Sequence, residues 1–97
     1  SPLMEPAKKR LASAIENTIF KTPSCAVYQN VCATAIFDSE KLKANLISQL
    51  TAPVYWTQTI KQMILDGATR FTEVGPGKVL QGLVKKIDSS IETESGY

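Results

Sequence analysis

The sequence predicts an α/β fold in the order α-β-α-α-β-α that forms one part of a larger parallel-sheet domain, and three observations predict it. The run Arg70-Phe-Thr-Glu-Val74 passes through Gly75-Pro76-Gly77 into Lys78-Val-Leu-Gln-Gly-Leu-Val-Lys-Lys-Ile87. A β-prone stretch thus meets a corner that glycine's tolerance of positive φ and proline's fixed φ permit, and then a helix. Val79, Leu80, Leu83, Val84 and Ile87 recur at spacings of three and four, so one face of that helix is expected to be buried, most naturally on a sheet. Finally, only two segments read as strands. Parallel sheets are covered on both faces and an isolated strand pair is not independently stable, so helices with this much apolar face need more sheet than these residues supply.

In chain order, Ser1 offers a capping hydroxyl and Pro2 suits a first helical turn. Leu3, Ala7, Leu11, Ala14 and Ile15 trace one stripe, with Glu5 near the start and Lys8, Lys9 and Arg10 further along. A helix is therefore expected from the first residues to about Ile19, ending before Thr22-Pro23. Cys25-Ala-Val-Tyr-Gln-Asn-Val31 reads as a short strand. Asp38-Ser39 offers a cap for a second helix carrying Leu42, Leu46, Ile47 and Leu50 on one face. Thr51-Ala52-Pro53 breaks it, and Pro53 suits the first turn of a third helix that buries Trp56, Ile60, Met63 and Ile64 and stops at Gly67. The strand and helix around the glycine corner follow. Residues 1–88 are thus the folded part, and residues 89–97 read as a polar, frayed tail. The helices between the two strands imply a parallel crossover within one sheet. The alternative is a compact helical domain with a two-stranded patch, and intertwining of two copies would also supply strands.

At 97 residues with 43% hydrophobic content the chain is expected to be a single domain, and a net charge of +2 gives no argument for nucleic acid. No apolar run approaches the roughly 20 residues that span a bilayer, and no basic stretch followed by an apolar core opens the sequence, so neither a membrane nor export is signalled and a cytoplasmic location is expected. Cys25 and Cys32 stand without any histidine or second cysteine pair, which favours free thiols of a reduced compartment over a zinc site or a disulfide. The lack of histidine also means that a serine–histidine pair cannot be assembled from these residues alone. Lys78 after the glycine corner invites a phosphate-binding reading, but the spacing and the Lys-Ser/Thr ending of a nucleotide loop are missing. Glu73 beside it reads either as a general base or, more ordinarily, as a solvated or capping carboxylate.

Three segments read together resemble a known family. Ser1-Pro-Leu-Met-Glu-Pro-Ala7, Gln49-Leu50 with Pro53-Val-Tyr-Trp56, and Glu73-Val-Gly-Pro-Gly-Lys-Val-Leu80 with Gly82-Leu83 look like the carboxyl-terminal third of bacterial malonyl-CoA:acyl carrier protein transacylases, up to about Asp88. The Gly-Lys ending favours the free-standing bacterial enzyme over the acyltransferase domain of a polyketide synthase. A small non-enzymatic helical interaction module is the further alternative. The resemblance implies the end of a large hydrolase-like acyltransferase subdomain. It also implies a reaction in which a serine attacks malonyl-CoA, a histidine serves as base, an arginine pairs with the malonyl carboxylate, and the acyl group passes to the pantetheine thiol of acyl carrier protein in fatty acid biosynthesis. No cofactor beyond these substrates is implied. In the family the histidine directly precedes the Ser-Pro-Leu-Met-like segment, so these residues are expected to begin just after it and to be inactive alone. By the same resemblance Gln49 matches the glutamine whose carbonyl orients that histidine, and Lys78 and Val79 border the pantetheine entrance. Lys85 and Lys86 would lie beside the active-site mouth, where they either dock the acidic carrier or simply complement the helix dipole.

Overall fold

A computed structural model describes residues 2–96, so the expected capping hydroxyl of Ser1 lies outside the described residues. Where one domain was expected, the chain forms two compact units, one reaching Tyr55 and the other starting at Trp56. Each contains two α-helices and its own pair of strands.

In the first unit a 3-10 turn, Pro2–Met4, leads into helix α1, Glu5–Glu16. The helix stops short of Ile19, where the Thr18 hydroxyl captures a last-turn carbonyl, donating to Ala14 O at 2.6 Å, while the Thr18 N–H tightens onto Ile15 O at 3.1 Å. Only Ile15 of the stripe is fully buried, and Leu3 and Leu11 remain exposed. The strand expected over residues 25–31 shrinks to β1, Val27–Tyr28, which pairs antiparallel with β2, Ala35–Ile36. This corrects the expected crossover. A turn that places Ala33 at φ 47 folds the chain back at once, so β1 takes a local partner instead of a distant parallel one.

Helix α2, Ser39–Ser48, starts where Asp38-Ser39 predicts: Asp38 Oδ1 accepts from the N–H groups of Glu40 at 2.9 Å and Lys41 at 3.3 Å. Leu42 is buried, and Leu46, Ile47 and Leu50 are half-buried on the predicted face. Lys43 fastens α2 to the end of α1, donating to Glu16 O at 2.8 Å. Gln29 joins the hairpin to α2. Its amide donates to Leu42 O at 2.8 Å and its carbonyl accepts from Asn45 at 3.1 Å.

The second unit begins with α3, Trp56–Leu65. Pro53 lies outside the helix because the Tyr55 N–H is already committed to Asn30 O at 2.9 Å, which holds the chain out of the helical turn. At its other end Gly67 sits at φ 110, with Gly67 N–H on Ile64 O at 3.0 Å and Ala68 N–H on Met63 O at 2.9 Å, the paired bonds of a Schellman motif. Strand β3, Arg70–Glu73, follows, then α4, Val79–Ile87.

Residues 92–95, expected to fray, form strand β4, Glu92–Ser95, parallel to β3 in the register Arg70↔Glu92 to Glu73↔Ser95. The hydrophobic criterion misses it because its alternation is polar: Thr93 is half-buried while Glu92 and Glu94 face solvent. Ile91, immediately before it, is buried and anchors it. A parallel crossover is therefore present, but it is β3–α4–β4. Ile60, Val84 and Ile91 form the core of this unit, with Trp56, Met63, Ile64, Phe71 and Ile87 packed around them as α3 predicts. Each fully buried aliphatic side chain contributes roughly 1.5–3 kcal/mol. The predicted stripe of α4 is only partly used, since Val79, Leu80 and Leu83 stay exposed.

Candidate functional site

The corner between β3 and α4 is built by two glycines with positive φ, Gly75 at 147 and Gly77 at 81, conformations that a side chain would strain. The turn delivers the first N–H groups of α4 close to the end of β3. There Glu73, the last residue of β3, reaches across: its carboxylate accepts from Gln81 N–H at 3.2 Å and Leu80 N–H at 3.4 Å. These backbone donors are thus satisfied from within the chain, and the carboxylate is well placed against the positive end of the helix dipole. Of the two readings of Glu73, capping is the one seen. Gln81 extends the link to β4, donating from Nε2 to Ser95 Oγ at 2.9 Å. Beneath the corner lies a small cavity of about 90 Å³ lined by Trp56, Phe71, Glu73, Leu80, Gln81 and Val84. The Trp56 indole N–H is buried with no acceptor among the described residues.

Lys78 is the N-cap residue of α4; its side chain is exposed, and its carbonyl accepts from Gly82 N–H at 3.1 Å. Val79 opens the helix and is also exposed. At the other end of α4, Lys85 turns its ammonium back onto the loop to β4, donating to Ile91 O and to Ser89 O, the latter at 3.4 Å. Lys86 is exposed beside it. Asp88 Oδ1 accepts from the Ser90 hydroxyl at 2.6 Å and the Ser90 N–H at 3.0 Å. Those two bonds, with a smaller contribution from Lys85, hold its carboxyl below the ordinary value. Gln49 lies in the first unit as the half-buried C-cap residue of α2, with its N–H on Asn45 O at 2.9 Å.

Lys78 and Val79 therefore share the corner with Glu73, and Lys85 and Lys86 occupy the opposite end of the same helix. Sequence reasoning missed Gln81, whose backbone and side chain bridge Glu73 and Ser95, and the amide pair Gln29–Asn45, whose second contact is Asn45 Nδ2 to Cys32 Sγ at 3.7 Å. Half-buried amides carry no periodic signal; only a polar residue inside an otherwise apolar stretch marks them. Cys25 is exposed and Cys32 half-buried, both as free thiols. Among the described residues no helix is long and apolar enough to cross a membrane.

No protein-family model matches the chain. Individual proteins do. A malonyl CoA-acyl carrier protein transacylase of Haemophilus influenzae is 41% identical over 93 residues, covering 96% of this chain and 30% of that protein. The crystal structure of an acyl carrier protein S-malonyltransferase from Vibrio cholerae superposes with a TM-score of 0.84 at 40% identity, over 97% of this chain and 31% of the other. A malonyl-transacylase solved in complex with a type II PKS acyl-carrier protein gives a TM-score of 0.80 at 34% identity, over 96% of this chain and 29% of its own. The chain spans about 30% of the length of the curated relatives that it matches. In sequence and in backbone, the chain matches a fragment, about 30% in length, of the malonyl CoA-acyl carrier protein transacylases.

Proposed function

We propose that these residues serve an enzyme that moves a malonyl group from coenzyme A to the pantetheine thiol of acyl carrier protein, by way of a serine acyl-enzyme. The observation that carries the reading is the 41% identity over 93 residues to the Haemophilus influenzae transacylase. In the first step a serine oxygen attacks the thioester carbonyl, its proton passing through a base to the departing coenzyme A sulfur. In the second, the carrier thiol attacks the serine ester and the proton returns to serine. Serine, histidine and the arginine for the malonyl carboxylate are supplied by residues other than these 97, so the chain alone is inactive. Gln49 accepts the second N–H of the histidine and fixes its tautomer. Lys78 and Val79 border the entry of the pantetheine arm, and the reaction belongs to fatty acid biosynthesis in the cytoplasm.

The test is a chimera joining these residues to the part of the Haemophilus influenzae relative that lies outside the match, with malonyl-carrier formation followed by mass spectrometry. Transfer by the chimera and none by the chain alone is the expected result. A folded chimera without transfer would overturn the reading. In the same chimera Gln49→Ala should slow serine acylation about tenfold or more while the melting temperature moves by only a few degrees. Lost stability with normal acylation per folded molecule would make Gln49 structural.

A second carrier deserves comparison because one matched transacylase was solved with a type II PKS acyl-carrier protein. If polyketide carriers are the true acceptors, the chimera will load them faster than it loads a fatty acid carrier.

A further inference from the structure

Gln49 ends a helix that no glycine closes, since Leu50 follows it. It sits at φ −67 and ψ −14 as the C-cap residue of α2, with its N–H on Asn45 O at 2.9 Å. The chain winds on through Leu50 N–H to Ile47 O at 3.1 Å and Thr51 N–H to Ser48 O at 3.3 Å. The last carbonyls of a helix have no partner within it, so their direction is set by whatever holds the final turns and the loop beyond. Here two neighbouring residues hold both. Gln29 reaches the final turns: its amide nitrogen donates to Leu42 O at 2.8 Å and its carbonyl accepts from Asn45 Nδ2 at 3.1 Å. Asn30 reaches the far end of the loop, its backbone carbonyl accepting from Tyr55 N–H at 2.9 Å. The sense of the amide pair is fixed as well. Leu42 O can only accept, so Gln29 turns its nitrogen to it and its oxygen to Asn45, whose Nδ2 has a second acceptor in Cys32 Sγ at 3.7 Å. Both amides are half-buried, where such bonds are shielded from competing water.

We propose that Gln29 and Asn45 are positioning residues for Gln49: the amide pair fastens the end of α2 to the hairpin and so aims the Gln49 carbonyl at the ring N–H of the histidine. The assignment deepens, and rests on, the proposed reading of Gln49 as that histidine's acceptor. An acceptor selects a tautomer only while it stays in line with the N–H, and the tolerance at such sites is about 0.5 Å and 10–20°. Without the amide pair, the end of α2 exceeds that tolerance while the unit stays folded.

The test uses the chimera described above, with its histidines labelled at the ring nitrogens and the catalytic one assigned by replacing it. Nitrogen magnetic resonance at neutral pH reports the tautomer, and single-turnover acylation is measured per folded molecule. One tautomer is expected in the unsubstituted chimera. Asn45→Leu and Gln29→Leu should each give a mixture of both. They should also lower the acylation rate at saturating malonyl-CoA about fivefold or more, while half-saturation stays within about twofold. Gln29→Glu, which keeps an acceptor for Asn45, should fall between the chimera and Gln29→Leu. Lys43→Met removes the bond from α2 to Glu16 O and should change neither tautomer nor acylation. A single tautomer in both leucine variants would overturn the proposal and leave the reading of Gln49 standing. Mixed tautomers already present in the unsubstituted chimera would overturn that reading, and the positioning with it. An equal tautomer change under Lys43→Met would reduce the pair to general support of the fold.

Discussion

Glu73 joins a strand to the helix that follows it with a single carboxylate. Its two backbone bonds replace the water that would otherwise hydrate the first turn of α4, and its negative charge faces the positive end of the helix. Glu73→Ala should therefore destabilise the second unit by about 0.5–2 kcal/mol in urea unfolding, with Glu73→Gln losing less because an amide oxygen still accepts. An unchanged midpoint for Glu73→Ala would show that solvent caps the helix equally well. Asp88 gives a pH-dependent counterpart. Its carboxyl titrates below the ordinary value of 3.8 because the charged form receives both Ser90 bonds. A depressed folded-state pKa means that the stabilisation is present above the unfolded value and is lost as pH falls through the folded one. In urea midpoints measured from neutral pH down through the carboxylate range, Asp88→Asn should fall less steeply below the ordinary carboxylate value than the parent. Identical acid limbs would remove the assigned role.

The helices whose apolar stripes were long and whose ends carried chemical signals were legible from sequence. Asp38 capped α2 and Gly67 closed α3 because each rule concerns one residue's own backbone. The ends of α1 and the start of α3 shifted because hydrogen bonds from Thr18 and Tyr55, which no periodicity encodes, decided them. β4 stayed hidden because ladder bonds need no apolar side chains, and Glu92-Thr-Glu-Ser95 carries none. The residue just before it, Ile91, is buried in the core of the unit. Ile91→Ala should cost about 2–5 kcal/mol, as large-to-small changes in cores do. The cost should appear in exchange protection as loss of the β3–β4 ladder together with the α4 amides. A tail that frayed would tolerate this change with no shift in melting temperature. Of the candidate site, the corner was readable as a corner; that Glu73 fills its donors was not, since eight residues separate it from Gln81.

Within the molecule as a whole, the two lysines near the end of α4 differ in their surroundings. Both are exposed, but the Lys85 ammonium is engaged with the carbonyls of Ser89 and Ile91, which leaves Lys86 the better placed of the two to meet a partner. Charge that steers an acidic carrier must be presented to solvent, and its effect weakens as salt screens it. In an active chimera, Lys86→Glu should slow transfer to the carrier several-fold, flatten its dependence on ionic strength, and leave transfer to free pantetheine unchanged. Lys85→Glu should in addition lower the melting temperature. Equal losses with both acceptors would take Lys86 out of the docking surface.

The pairing of β3 with β4 also sets the order in which this unit gains structure. Thr72 and Glu94 are bonded across 22 positions, and most of that stretch is taken up by α4 and its corner. Closing a flexible loop of that length costs entropy before any ladder bond is made, whereas a helix already wound shortens the search. The amide hydrogens of residues 92–96 should therefore acquire protection after those of α4 during refolding, and β4 should fasten last onto a corner that is already in place.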